Sequence, residues 1–305
     1  MKLLSSNPVL FSICCLVWGS TWIALTYQVN EVHVMLSVGL RFAMAAVLIG
    51  VWCLFAKISL RLPFKEHGLI AFSGVLLYTL DYSFLYAAQQ HMISALLAVL
   101  SSSVIYFNVV LRRVIMGKAI RLEVVIGASL GLLGIVLIFL PEFEAFSMQE
   151  GIALGVFLAA VSFFCAACGN VVSEKILAGK VGVLQLNFWA MSYGVIVTTC
   201  VAFASGAEVV IPTQSSYYFS LLYLAVFGSV IAFGAYMRLL KQIGADRSAY
   251  VVLVYPIVAL LISTFFEGYE WSFIAVVGAV IVLLGNAIAM GKLNGYGKRL
   301  LQPTV

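Results

Sequence analysis

Charge is what this sequence lacks most. Asp, Glu, Lys and Arg make up 10% of its 305 residues and hydrophobic residues 64%, whereas a soluble domain carries about 25% charged residues. Mean hydropathy is +1.12. A soluble enzyme surface is excluded on these grounds, and a polytopic membrane protein is expected. A disulfide framework is also missing. The six cysteines all lie inside apolar runs, not on spaced loops. Cys165 and Cys168 have C-x-x-C spacing but no polar or basic neighbour to stabilise a thiolate, so core packing is expected there. There is no G-x-x-x-x-G-K-[ST] loop and no H-E-x-x-H, so neither a nucleotide nor a metal is expected, and no cofactor. His33, His67 and His91 fall at the ends of apolar runs, and no nucleophile–base pair can be placed at membrane depth. An enzyme is not expected. The first run has only Lys2 ahead of it and no small-x-small cleavage site, so it reads as a retained helix.

What is present is a set of long apolar runs. A helical span needs roughly 20 residues, and ten such runs occur, at about 8–28, 34–55, 68–88, 93–112, 122–140, 151–171, 183–204, 217–237, 248–266 and 271–290. Numbering them in order sorts the basic residues. Of 17 Lys and Arg, 16 fall on the side that holds both termini, none on the other, and Arg41 lies inside span 2. The basic side is therefore expected to be cytoplasmic, with both termini inside the cell and the chain in the inner membrane. Seven of the twelve acids lie on the opposite side. The net charge of +5 is thus a topology signal and not a nucleic-acid surface.

The chain also repeats. G-A-S-L-G-L-L-G at 127–134 matches G-A-V-I-V-L-L-G at 278–285 in five of eight positions, and Ser94-Ala95 matches Ser248-Ala249 further upstream. Five spans per half is an odd number, so the halves insert in opposite directions. The expected fold is an all-α membrane protein of ten transmembrane helices in a 5+5 inverted-topology repeat, with repeats at 1–147 and 148–305 and a solute site between them. The small residues of spans 5 and 10 suit close helix contact, which makes these spans scaffold.

Several spans carry polar or aromatic stripes. Residues i, i+3 and i+4 share a helix face, which aligns Trp18, Thr21, Trp22 and Leu25 in V-W-G-S-T-W. Trp18 lies about 15 Å into its span at 1.5 Å per residue, too deep for an interfacial belt. For Trp22 pocket and belt remain equally open. Tyr78, Asp81 and Tyr82 share a face of span 3, and Ser94, Ser101 and Asn108 line span 4 at heptad spacing. Ser162 and Asn170 fall in span 6, and Tyr250, Tyr255 and Pro256 in span 9. Pro256 leaves the Val252 carbonyl without its usual donor, a break tolerated where it faces protein or a cavity. Trp18, Trp22, Tyr78, Tyr82, Ser101, Asn108, Asn170 and Tyr255 are the expected substrate-binding residues. Arg41, Asp81 and Pro256 are the expected gating or coupling residues. Arg41 and Asp81 reach similar depth and are expected to pair across spans 2 and 3; the alternative has Arg41 snorkelling to headgroups and Asp81 solvated in the cavity.

Taken in order, W-G-S-T-W in span 1, G-L-R-F-A-M-A-A at 39–46, Y-S-F-L-Y-A-A-Q-Q-H-M-I-S-A-L-L-A-V-L at 82–100, Y-P-I-V-A-L-L at 255–261 and the Gly-rich spans 5 and 10 give the chain a family likeness. It resembles the drug/metabolite transporter superfamily, and within it the EamA-type ten-helix transporters. The resemblance implies export of metabolites or amino acids, with uptake in some branches. It also implies a basket of helices 1, 3, 4, 6, 8 and 9 around the solute, with 5 and 10 outside. There are two departures. Similar proteins commonly have a proline midway along the fourth helix, where this chain reads S-S-S-V at 101–104, and many carry an acid where it has Lys118. The expected function is secondary transport of a small organic solute, such as an amino acid or an amphipathic or aromatic compound, by alternating access. The rivals are a membrane sensor that binds without transport and an intramembrane enzyme. Expected partners are the solute, the lipid bilayer and, if transport is coupled, protons, with the chain a monomer or homodimer.

Overall fold

A computed structural model of the chain describes residues 6–28, 32–89, 91, 97, 100–140, 152–266 and 270–290, with the backbone alone at 22, 25, 26, 86, 89 and 263. Ten helical rods follow one another along these residues. The first is α1 (Asn7–Thr26) and the second α2 (Val34–Phe55). Rod α3 runs Phe64–Val75, widens into a π-helical stretch at Leu76–Leu80 and continues as Asp81–Gln89. Next come α4 (Ser103–Met116), α5 (Leu122–Ile138), α6 (Ile152–Leu177) and α7 (Val183–Ala204). Rod α8 is Ser215–Tyr223, a second π-helical stretch at Leu224–Ile231, and Ala232–Ile243. It is followed by α9 (Ala245–Ser248 and Val251–Phe266) and α10 (Phe273–Ala289). Among the described residues six rods of 22 to 29 residues are long and apolar enough to cross a bilayer. Helices keep every backbone polar group paired within the segment, as lipid requires.

The rod ends are set locally. Rod α4 stops at Gly117, whose φ of 64° is left-handed. There Gly117 N donates to the Arg113 carbonyl and Lys118 N to the Arg112 carbonyl, a glycine-terminated helix end. Rod α10 starts where the Ser272 hydroxyl accepts from Ala275 N at 3.0 Å, an N-cap bond. Pro256 does not end its helix. It sits inside Val251–Phe266.

The packing shows the repeat. Rod α5 lies along α10 and α2 along α7; α1 packs on α8 and α9, and α6 packs on α3 and α4. Exchanging each rod of one half for its counterpart five later maps this set onto itself. The α1–α9 contact becomes α6–α4, and the α2–α7 and α5–α10 pairs map to themselves. The α5–α10 crossing has the same symmetry in its atoms. A Cβ on Gly285 would stand 2.5 Å from the Gly127 carbonyl oxygen, and one on Gly278 would stand 2.6 Å from that of Gly134. The glycines of the sequence repeat therefore form the scaffold contact expected of spans 5 and 10. The two π-helical stretches also correspond at the offset of 151 that relates these glycines. No periodicity announces them, since each adds one residue to a turn without changing the apolar run.

Candidate functional site

Rods α1, α3, α4, α6, α8 and α9 leave a cavity of about 240 Å³ between them, reached from α2 by Arg41 alone. Its walls include Trp18, Thr21, Tyr82, Phe163, Phe233, Tyr236 and Tyr255, and its polar groups Arg41, Asp81, Ser101 and Asn170. Aromatic walls with few, placed polar groups are the usual make-up of a small-molecule site.

The W-G-S-T-W segment is built for this place. The Trp18 indole donates to the Gly228 carbonyl at 3.1 Å, a carbonyl in the π-helical part of α8. The Trp18 ring meets Phe233 and Tyr236 with centroids 5.2 Å away in each case. The Ser20 hydroxyl lies 2.6 Å from that of Tyr223. Gly19 faces the other way, where a Cβ would stand 2.7 Å from Val258 Cβ. One helical turn therefore docks α8 through Trp18 and Ser20 and α9 through Gly19, and it presents Thr21 and Trp18 to the cavity.

Arg41 and Asp81 do not form the expected pair. Arg41 donates Nε to the Ser229 hydroxyl at 2.9 Å, and its guanidinium carbon lies 5.3 Å from the Phe42 ring centre. Asp81 Oδ1 accepts from the Ser162 hydroxyl at 2.7 Å. The reason is the two widened turns. The π stretch of α8 brings Ser229 to Arg41, and Asp81 leaves the π stretch of α3 toward α6. Both side chains still line the one cavity, so a fixed cation and an acid face the same space.

Of the residues expected to bind solute, Trp18, Tyr82, Ser101, Asn170 and Tyr255 line the cavity, as do Arg41 and Asp81. Three expected residues stand elsewhere. Tyr78, inside the π stretch, is packed between Phe42 and Phe233, at centroid distances of 4.7 and 5.2 Å. Asn108 is buried two turns beyond Ser101 and donates Nδ2 to the Ala245 carbonyl. Pro256 is buried beside Tyr255, and the carbonyl-bearing Val252 reaches the cavity in its place. The Trp22 side chain, like Ser94, lies outside the described residues. Sequence reasoning missed Thr21, Phe163, Phe233 and Tyr236. Thr21 was on the Trp18 stripe, while the other three sit in uniformly apolar runs where no periodicity marks one face.

It also missed a buried ion cluster at the basic end of the bundle. Arg112 donates Nε and Nη2 to the two Glu174 oxygens at 2.7 and 2.6 Å, and its Nη1 lies 2.7 Å from Asp246 Oδ1. Glu174 also accepts from Ala245 N at 2.8 Å. The cluster joins α4 and α6 to the α8–α9 junction. Its three residues sit at the ends of three different helices far apart in the sequence, so no local pattern joins them.

Comparison with known proteins agrees with the architecture. A model of the EamA-like transporter family matches residues 7–140 and again residues 153–291. The chain is 26% identical over 296 residues to an uncharacterized inner membrane transporter, YedA, of Escherichia coli K12, covering 95% of this chain and 92% of that one. It is 22% identical over 301 residues to a probable amino-acid metabolite efflux pump of the same strain, covering 96% of each. A solved crystal structure superposes with a TM-score of 0.80 at 17% identity, covering 98% of this chain and 99% of its own. At that identity the likeness concerns the fold alone.

Proposed function

Because the chain belongs to the EamA-like transporter family, and is thus a multi-pass membrane transporter, we propose that it exports a small zwitterionic metabolite, such as an amino acid with an apolar or aromatic side chain, by alternating access. One observation carries the reading. The cavity presents Arg41 and Asp81 unpaired with each other within aromatic walls. A carboxylate suits the planar donor fork of Arg41, an ammonium suits Asp81, and the apolar remainder suits Trp18, Tyr82 and Tyr255. The efflux role of a relative supports export. In this reading the moving units are the repeats 1–147 and 148–305, both termini are cytoplasmic, Asp81 is the proton carrier if transport is proton-coupled, and the chain works as a monomer or homodimer.

Flux of radiolabelled amino acids in proteoliposomes of the purified protein tests this, with and without an imposed pH gradient. Saturable flux that falls at least tenfold in Arg41→Gln and in Asp81→Asn is expected. Saturable binding without flux would mark a sensor, and product formation an enzyme. Neither binding nor flux for any zwitterion tried would overturn the substrate class.

A further inference from the structure

A second cleft, separate from the central cavity, opens at the basic end of the bundle. It has a volume of about 290 Å³ and lies between the ends of α4, α6 and α8 and the start of α9. Five cations line it, Arg112, Lys118, Arg121, Lys241 and Arg247, against one carboxylate, Glu174. Arg112 is fully engaged by Glu174 and Asp246. The other four are not. Among the described residues Lys118 and Lys241 form no ion pair, Arg121 reaches Asp246 only at 3.9 Å, and Arg247 reaches Glu123 at 3.3 Å. Arg121 Nη1 and Arg247 Nε are buried from solvent without a hydrogen-bond partner.

Basic residues at a cytoplasmic membrane face are ordinary. Their convergence on one cleft is different. Like charges held together repel, and buried donors left unmade cost free energy. An anion with several acceptor oxygens relieves both. Phosphate has the oxygens for this, and arginine binds it in a bidentate manner. We propose that this cleft binds a phosphate-bearing anion, held by Lys118, Arg121, Lys241 and Arg247 over the Arg112–Glu174 pair. The anion comes either from an anionic phospholipid headgroup of the inner leaflet or from free phosphate. The proposal does not rest on the transport of any solute.

The test uses the full chain in phosphatidylcholine nanodiscs. In one arm inorganic phosphate is titrated, and in the other phosphatidylglycerol replaces part of the lipid; the thermal midpoint is read in both. A saturable rise is expected in at least one arm. A rise with phosphate identifies the soluble source, and a rise with phosphatidylglycerol alone identifies the lipid. Lys118→Gln with Lys241→Gln, both exposed and, among the described residues, outside the ion pairs, should raise the half-saturating concentration at least tenfold. Arg61→Gln with Lys65→Gln, also at the basic end but outside the cleft, should leave it within twofold. No rise in either arm, or equal weakening by the two pairs of substitutions, would overturn the site.

Discussion

Gly19 has no room for a side chain, since a Cβ would stand 2.7 Å from Val258 and 3.0 Å from the Tyr255 carbonyl oxygen. Gly19→Ala should therefore push α1 off α9 at a cost of about 1–3 kcal/mol, the usual range for overpacking, and lower the thermal midpoint of the purified protein. An unchanged midpoint would mean that α1 can shift freely. The neighbouring tryptophan separates two roles. Trp18→Phe keeps an aromatic wall but removes the hydrogen bond to the Gly228 carbonyl, a loss of about 1 kcal/mol. Trp18→Ala removes the wall as well, at about 3–5 kcal/mol. Both should bind solute more weakly, the alanine variant by more. Equal affinity in the two variants would show that the ring plays no part beyond its hydrogen bond.

At the level of the helix, the apolar runs were legible and their defects were not. Hydropathy places α2 at 34–55 and α7 at 183–204, where they are observed, because a long apolar run in lipid has only one backbone solution. The π-helical stretches at Leu76–Leu80 and Leu224–Ile231 leave no such trace. They decide the site nonetheless, by holding Tyr78 in the core and bringing Ser229 to Arg41. Residues whose position depends only on helix periodicity before a widened turn, such as Trp18, were readable. The Arg41–Asp81 pairing, which the widened turns redirect to Ser229 and Ser162, was not, although Asp81 and Tyr82 just past the α3 stretch still line the cavity. The ion cluster was invisible for another reason, since Arg112, Glu174 and Asp246 are distant in sequence. Its energetics follow from burial. Arg112→Gln strands two buried carboxylates and should cost about 3–5 kcal/mol. Combining it with Glu174→Gln and Asp246→Asn should recover most of that loss, because no uncompensated charge remains. A triple variant less stable than the single one, by chemical or thermal denaturation, would contradict this account.

Across the whole molecule the packing maps onto itself when the halves are exchanged, but the charges do not. The exchange turns α1 on α8 into α6 on α3, and hydrogen bonds follow it in kind. Ser20 meets Tyr223 at 2.6 Å in the first contact, and Ser73 meets Ser173 at 2.7 Å in the second. Such near-equivalence is what alternating access requires, because the second state can be made by letting each half adopt the contacts of the other. The buried cluster of Arg112, Glu174 and Asp246 breaks the equivalence. Positions 112 and 174 correspond, at the offset of 151, to Ser263 and Ile23, which cannot supply an ion pair. The cluster ties α4, α6 and the α8–α9 junction together at the basic end, so in the proposed alternating-access cycle it favours the arrangement closed at that end. Removing all three charges together should leave the fold standing and shift the population toward the arrangement open there. A shift of 1.4 kcal/mol is tenfold in population. A cysteine replacing Ser101 in the cavity, with Cys168 and Cys200 changed to serine, reports the change. In inside-out vesicles a membrane-impermeant thiol reagent should label it about tenfold faster in the triple variant than in the parent. In right-side-out vesicles labelling should slow. Unchanged rates from both sides would show that the cluster holds the helices without biasing which end is closed. Faster labelling in right-side-out vesicles instead would mean that the charge split assigns the wrong face to the cytoplasm.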